Sequence, residues 1–288
     1  MSTHASDPLV PHGNPGDDLP PGRAHERSAM TAMPFSSDFL YWIAIDFGSS
    51  DPADIARFNR FYDETHIPEV LDRHPGFAAA HRYALHRPDP RGDFGGGYLA
   101  AYEIEDEEAV TAYLTATTAD GSGDRPRYSA DPPLWPDLLT NRWRVVYEKI
   151  AETAPSTGTP DMIYIIGIDP PADIRDDELA EFDAFYTNTH MPEAVSNAGF
   201  SRGTRYKVRR TLEHPDPGCP FYLVVYELAG VSDELVAETQ RKLGRQGPWW
   251  SPGPSSWTRH TTPWRLWYRN ISSTPRPTSP DGAPLRQP

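Results

Sequence analysis

The chain writes one segment of itself twice, in the same order and at a constant spacing, and this limits its fold more than any other feature. Residues 58–77 read FNRFYDETHIPEVLDRHPGF and residues 182–200 read FDAFYTNTHMPEAVSNAGF. Phe58, Phe61, Tyr62, Thr65, His66, Pro68 and Glu69 match Phe182, Phe185, Tyr186, Thr189, His190, Pro192 and Glu193, each 124 positions later. After a one-residue gap, Gly76-Phe77 and Arg82-Tyr83 match Gly199-Phe200 and Arg205-Tyr206. Tyr102-Glu103 matches Tyr226-Glu227, and Trp143-Arg144 with Tyr147 matches Trp264-Arg265 with Tyr268. A period this long marks a duplicated domain; stacked solenoids repeat every ~20–50 residues.

Each copy predicts the same elements. YWIAIDF and MIYIIGID are short apolar runs rich in β-branched and aromatic residues, which suits a first strand. Asp51 caps a helix whose first residue is Pro52 and which runs to His66; in the second copy Asp173 or Asp176 takes the capping part. Pro68 and Pro192 disfavour continuing the helix past each histidine. Strands follow at 79–87 and 97–104, matched by 202–210 and 221–228. Second helices start at Asp106 and Asp233, and Trp143–Lys149 and Trp264–Arg269 close each copy as a fourth strand. The class is α+β, and the order βαββαβ is the ferredoxin-like plan, present twice. The predicted organisation is a disordered tail over 1–38, a first repeat over 39–150, a linker over 151–160, a second repeat over 161–270 and a disordered tail over 271–288. Met30 and Met33 stand just before the first strand, so residues 1–29 are open as part of the native product.

A net charge of −14 argues against nucleic acid or anionic membrane as partners. Cys219 is the only cysteine, which rules out an intrachain disulfide and a cysteine-based zinc site and suits a reducing cytoplasm. No run of about 18 apolar residues is present to span a membrane. The expectation is a cytoplasmic protein whose partner is a small molecule.

The helix ending Phe-Tyr-x-x-x-His-x-Pro-Glu, followed by Gly-Phe and then Arg-Tyr, resembles the dimeric α/β-barrel superfamily, and within it the EthD-like branch. The resemblance covers both copies and leaves out the tails. It implies two sheets closing one barrel, here as a pseudo-dimer within one chain, so that the unit is a monomer or pairs again as a homodimer. It implies a broad range of chemistry: isomerases, polyketide cyclases and dehydratases, decarboxylases, oxygenases that need no cofactor, heme enzymes, and proteins without activity.

His66 and His190 are the first candidates for acid–base work, because histidine exchanges protons near neutral pH. Each shares a helix face with a tyrosine one turn earlier, Tyr62 and Tyr186. A histidine at a helix C-terminus also caps free carbonyls and is stabilised there by the dipole. The Asp63-Glu64 pair is expected to raise the pKa of His66, while Thr187-Asn188 leaves His190 neutral. Glu69 and Glu193 are candidate substrate or orienting acids, or structural partners of Arg82 and Arg205. Those arginines suit a substrate carboxylate or enolate. Tyr83, Tyr206, Trp143 and Trp264 are candidate lining residues, or core. Trp135 and Trp249-Trp250, in proline-rich loops, are candidate lids. No HxH or HxxxH pair offers a metal site, although His81 and His86 lie near one another, and Gly95-Gly96-Gly97 precedes a strand instead of a phosphate-binding helix.

The functional expectation is a cofactor-independent cyclase, dehydratase or isomerase acting on a small hydrophobic, aromatic or polyketide-like metabolite in a specialised pathway, with no metal. Three alternatives stand beside it: a cofactor-independent monooxygenase on a phenol, a heme enzyme with a histidine axial ligand, and a non-catalytic metabolite-binding protein.

Overall fold

The computed structural model describes residues 33–92, 94–118, 128–129, 137–213, 218–244 and 250–277. The elements run β1 (Phe39–Phe47), α1 (Pro52–Phe61), a π-helical turn (Tyr62–His66), α2 (Ile67–Arg73), β2 (Phe77–Arg87), β3 (Tyr98–Ile104), α3 (Glu107–Thr118) and β4 (Leu139–Glu152). They continue with β5 (Met162–Asp169), α4 (Asp176–Phe185), a second π-helical turn (Tyr186–His190), α5 (Met191–Ala198), β6 (Arg202–Glu213), β7 (Tyr222–Leu228), α6 (Asp233–Gly244), a short α7 (Ser255–Thr258) and β8 (Thr261–Pro275). The eight strands close into one antiparallel barrel in the order β1-β3-β2-β8-β5-β7-β6-β4. The seams between the two halves are β2 with β8 and β4 with β6.

Strands β1, β3, β5 and β7 are covered on both faces over most of their length, which is why they read as apolar runs and not as apolar–polar alternation. In β1 the alternation is positional: Leu40, Trp42 and Ala44 point into the barrel, while Phe39, Tyr41 and Ile45 point out toward the helices. The barrel interior is aromatic, with Trp143 and Trp264 packed at 4.5 Å between ring centres. Two further cores lie outside it, between the sheet and the helices of each half.

Asp51 caps α1 as its sequence predicts, its carboxylate accepting from the Ala53 N–H at 2.7 Å. In the second half the cap is Arg175; Asp176 lies in the first turn, and Asp173 pairs with Arg259. The helices do not end at the histidines. Pro68 and Pro192 are accommodated because the preceding turn widens: the Ile67 N–H reaches the Tyr62 carbonyl and the Met191 N–H that of Tyr186, an i to i+5 bond. A proline inside an α-helix clashes with the carbonyl four residues back, and the π turn relieves that demand.

Three boundaries also differ. Residues 33–37 pack at one barrel end, where Phe35 is fully buried and its N–H donates to Glu103 at 2.6 Å. Strand β4 runs to Glu152, into the expected linker. Ser272, Ser273 and Thr274 have the composition of a tail but pair with β2, so β8 extends to Pro275. The remainder of the expected tails, 1–32 and 278–288, lies outside the described residues. Among the described residues no helix is long and apolar enough to cross a membrane.

Candidate functional site

In the first half, a cavity of about 290 Å³ opens between the outer face of the sheet and the helices. The π turn supplies Tyr62 and His66, β1 supplies Tyr41, β3 Tyr102, α3 Tyr113 and β4 Arg144, and Tyr128 arrives from the segment before β4. His66 lies 4.8 Å from the Tyr62 ring and 5.2 Å from that of Tyr128. Burial pushes its pKa down to about 4, against a raising effect from Glu69 and with a further lowering one from Arg82. The imidazole is therefore neutral at pH 7 and able to accept a proton. The expectation that Asp63 and Glu64 raise this pKa is corrected: Asp63 pairs with Arg82 at 3.0 Å and accepts from Ser272 at 2.6 Å.

Arg144 is half-buried on the sheet floor, donating from Nε to the Tyr41 hydroxyl at 2.7 Å and from Nη2 to that of Tyr113 at 3.3 Å. Opposite, His74 Nε2 meets the Tyr128 hydroxyl at 2.5 Å. Burial lowers the His74 pKa to about 4 and raises that of Tyr128 to about 12, so this pair is neutral as well. The result is a phenol-lined chamber that brings the Arg144 guanidinium and the neutral His66 imidazole together, with His74 behind Tyr128.

The second half repeats the frame and fills the space. Trp257 lies 4.5 Å from His190, 5.3 Å from Tyr186, 5.4 Å from Phe185 and 5.5 Å from Phe182. Trp250 lies 5.0 Å from His190 on the side where Tyr128 faces His66. Trp267 stands where the first half has Val146 and stacks on Tyr164 at 4.2 Å. Arg265, the counterpart of Arg144, is exposed. Burial lowers the pKa of His190 to about 4 too.

The other predicted site residues fall elsewhere. Arg82 and Arg205 are buried, lie over the Tyr62 and Tyr186 rings, and tie each helix to the sheet. Arg82 binds Asn59 and Asp63; Arg205 binds Asp183 at 2.6 Å and Thr187 at 3.1 Å. Their expected pairing with Glu69 and Glu193 is corrected: those carboxylates clamp Ser129 and Ser251, each accepting from a backbone N–H and a hydroxyl. Tyr83, Tyr206, Trp143 and Trp264 lie in the barrel interior, on the sheet face turned away from the cavity. Of the expected lids, Trp250 is described, while Trp135 and Trp249 lie outside the described residues. His81 and His86 do not converge: His81 meets Ser273 and His86 meets Asp233. Among the described residues no three His, Cys, Asp or Glu side chains gather to hold a metal.

Sequence reasoning passed over Arg144, Tyr41, Tyr113, Tyr128 and His74. One signal was available. Tyr128-Ser129, Pro132 and Trp135 match Trp250-Ser251, Pro254 and Trp257, each 122 positions later (128 to 250, 135 to 257). This second repeated motif carries the clamp serine and the aromatic residue over each histidine.

No family profile and no curated protein matches this chain. Solved structures do. A candidate chlorite dismutase is 12% identical, with 81% of this chain and 94% of that one aligned at a TM-score of 0.44. The chlorite dismutase of Candidatus Nitrospira defluvii, solved with imidazole, is 11% identical over 81% of this chain and 91% of that one, TM-score 0.42. A candidate monooxygenase from Fusobacterium nucleatum is 8% identical over 83% and 95%, TM-score 0.41. These are similarities of fold. They correct the expectation of a cyclase, dehydratase or isomerase, and with it the lyase or isomerase class, because the enzymes similar to this chain carry the names of a dismutase and of monooxygenases.

Heme, which the superfamily resemblance admits, does not fit the side chains around either histidine. Trp257 and Trp250 cover His190. The cavity beside His66, about 290 Å³, sits at the lower end of the ~300–1,000 Å³ range of small-molecule sites and suits one or two fused rings, not a macrocycle.

Proposed function

We propose that the first-half cavity binds a small phenol or enol, removes its proton and exposes the resulting anion to dioxygen, a monooxygenase reaction on an electron-rich ring. The observation that carries this reading is a half-buried neutral histidine, His66, sharing one cavity with the Arg144 guanidinium. His66 takes the hydroxyl proton, and Arg144, held by Tyr41 and Tyr113, stabilises the anion. The anion gives up electrons more readily than the neutral phenol. In the net reaction the substrate gains one oxygen atom and loses two hydrogens, and the second oxygen atom leaves with them as water. In this reading His190 is a structural residue of the second half. The chain as a whole is a tandem duplication of a ferredoxin-like unit of the EthD-like kind, supported by ordered matches at a spacing of 124. The duplication closes a barrel that other members of the superfamily close by pairing two chains.

The test is oxygen consumption with a panel of phenols and naphthols, with product mass read alongside. Uptake matched by a product one oxygen heavier and two hydrogens lighter, and lost in His66→Ala, supports the reading. Tight binding of these compounds without oxygen uptake contradicts it.

A further inference from the structure

One end of the barrel is built differently in the two halves. Glu103 and Glu227 are counterparts, 124 positions apart, and both are buried there. Glu227 is answered by the Arg202 guanidinium at 2.8 Å. In the first half Ala79 stands where the second has Arg202, and Glu103 takes main-chain N–H groups: Phe35 at 2.6 Å on one oxygen and Ser37 at 2.9 Å on the other. Arg202 also donates to the carbonyls of Pro34 and Phe35, at 3.2 and 2.9 Å, and Lys149 to that of Ser36 at 2.7 Å. The main chain of residues 34–37 is thus gripped by side chains of β3, β4 and β6, elements drawn from both halves.

The Phe35 ring is fully buried, 6.2 Å from the Tyr83 ring and 6.4 Å from that of Trp42. Among the described residues Phe35 is the only non-glycine with a positive φ, 59°. An aromatic residue in the left-handed region is strained and persists where its surroundings hold it. The second half enters its first strand in the same way, the Asp38 and Asp161 carbonyls accepting from the Lys149 and Asn270 N–H groups. There Gly158 stands where the first half has Phe35, and a Cβ at that position would meet nothing within 4 Å. Entry into the sheet therefore does not require such a segment. A stretch read through its main chain, with one ring in a pocket, is held as proteins hold a bound peptide.

We infer that this barrel end is a peptide-binding socket for a short segment carrying one aromatic residue, filled in this chain by its own residues 33–37. Glu103, Arg202 and Lys149 read the main chain, and Tyr83 and Trp42 receive the ring. The segment is a tethered ligand that leaves and returns while the barrel stays closed. The socket is distinct from the first-half cavity and stands whatever reaction that cavity performs.

The test displaces the tethered segment and offers the same sequence free. Phe35→Asp in the full chain sets a second carboxyl beside Glu103, which should eject the segment and leave the far-ultraviolet circular dichroism of the barrel unchanged. A fluorescent peptide with the sequence of residues 33–37, blocked at both ends, is then followed by anisotropy. It should bind Phe35→Asp at least about tenfold tighter than the unmodified chain, where the tethered segment competes at roughly millimolar effective concentration. The same peptide with alanine for phenylalanine should bind neither protein. A folded Phe35→Asp protein that does not bind the peptide, or binding that ignores loss of the ring, overturns the inference. Should Phe35→Asp fail to fold, hydrogen exchange in the unmodified chain decides. The Phe35 and Ser37 N–H groups should then exchange by local opening, at least about tenfold faster than the paired amides of β1. Exchange of all of them together, through global unfolding alone, would make the segment part of the cooperative core and overturn the inference.

Discussion

The two histidine sites share a frame down to single hydrogen bonds and differ in what occupies the space beside them. In both, a π turn presents histidine and tyrosine together, a buried arginine ties that turn to the sheet, and a glutamate clamps a serine before the last strand. In the first half the space is a cavity; in the second it holds Trp257 and Trp250, with Trp267 beneath them. The frame arginines show how loosely the details are held. Arg82 has Asn59 and Asp63 where Arg205 has Asp183 and Thr187, so each keeps one carboxylate at a position one turn apart. What the fold requires is one anion per guanidinium; what the proposed function requires is an open space, and among the described residues the first half keeps it.

The largest expected effect separates the histidines. His66→Ala should lower turnover on a responsive phenol by about 100-fold or more, the usual worth of a general base, while His190→Ala leaves it unchanged. Equal losses from both variants would break the comparison. The next is structural: Trp257→Ala should cost about 3 kcal/mol in a denaturant melt, the scale for removing a large packed aromatic side chain, without weakening ligand binding in the first half. Weakened binding there would show that the halves are coupled through the barrel.

Smaller effects follow. Glu69→Ala and Glu193→Ala each remove a partly exposed clamp and should cost about 1 kcal/mol or less in stability. Glu69→Ala should also weaken ligand binding, because it frees the segment carrying Tyr128, and Glu193→Ala should not. Acid should act on both halves, and more on the first. His66, His74, His81 and His190 have folded-state pKa values lowered by burial to about 4, below the ordinary 6.5. As pH falls from 6.5 toward 4 the unfolded chain takes up protons that the folded chain refuses, so the stability they lend is complete above 6.5 and is lost across that window. Glu103, raised by burial to about 7, works in the opposite sense, and four histidines outweigh it. A melting temperature that rises on acidification through this range would contradict the burial of these groups.

The fold was legible because its signals are local and repeated: the spacing of 124, the apolar strands and the Asp51 cap all survive in the structure. The helix ends were misjudged because a proline reads as a stop, and only tertiary packing makes a π turn worth forming at Pro68. The cavity was legible in part. His66 and Tyr62 come from one helix and announce themselves by spacing. Arg144, Tyr41, Tyr113 and Tyr128 come from four separate segments, and their meeting depends on the register of β1 with β4 and on the packing of α3. Arg82 and Arg205 looked available for substrate because no sequence pattern marks the Asn59, Asp63 and Asp183 side chains that claim them.

The most direct test of the central claim, that one half is open to ligand and the other filled, is a crystal soaked with a bromonaphthol and examined by anomalous diffraction. The account predicts bromine beside His66, within reach of Tyr128 and Arg144, and none beside His190. Bromine against His190 with Trp257 displaced, or equal occupancy of both sites, would contradict it.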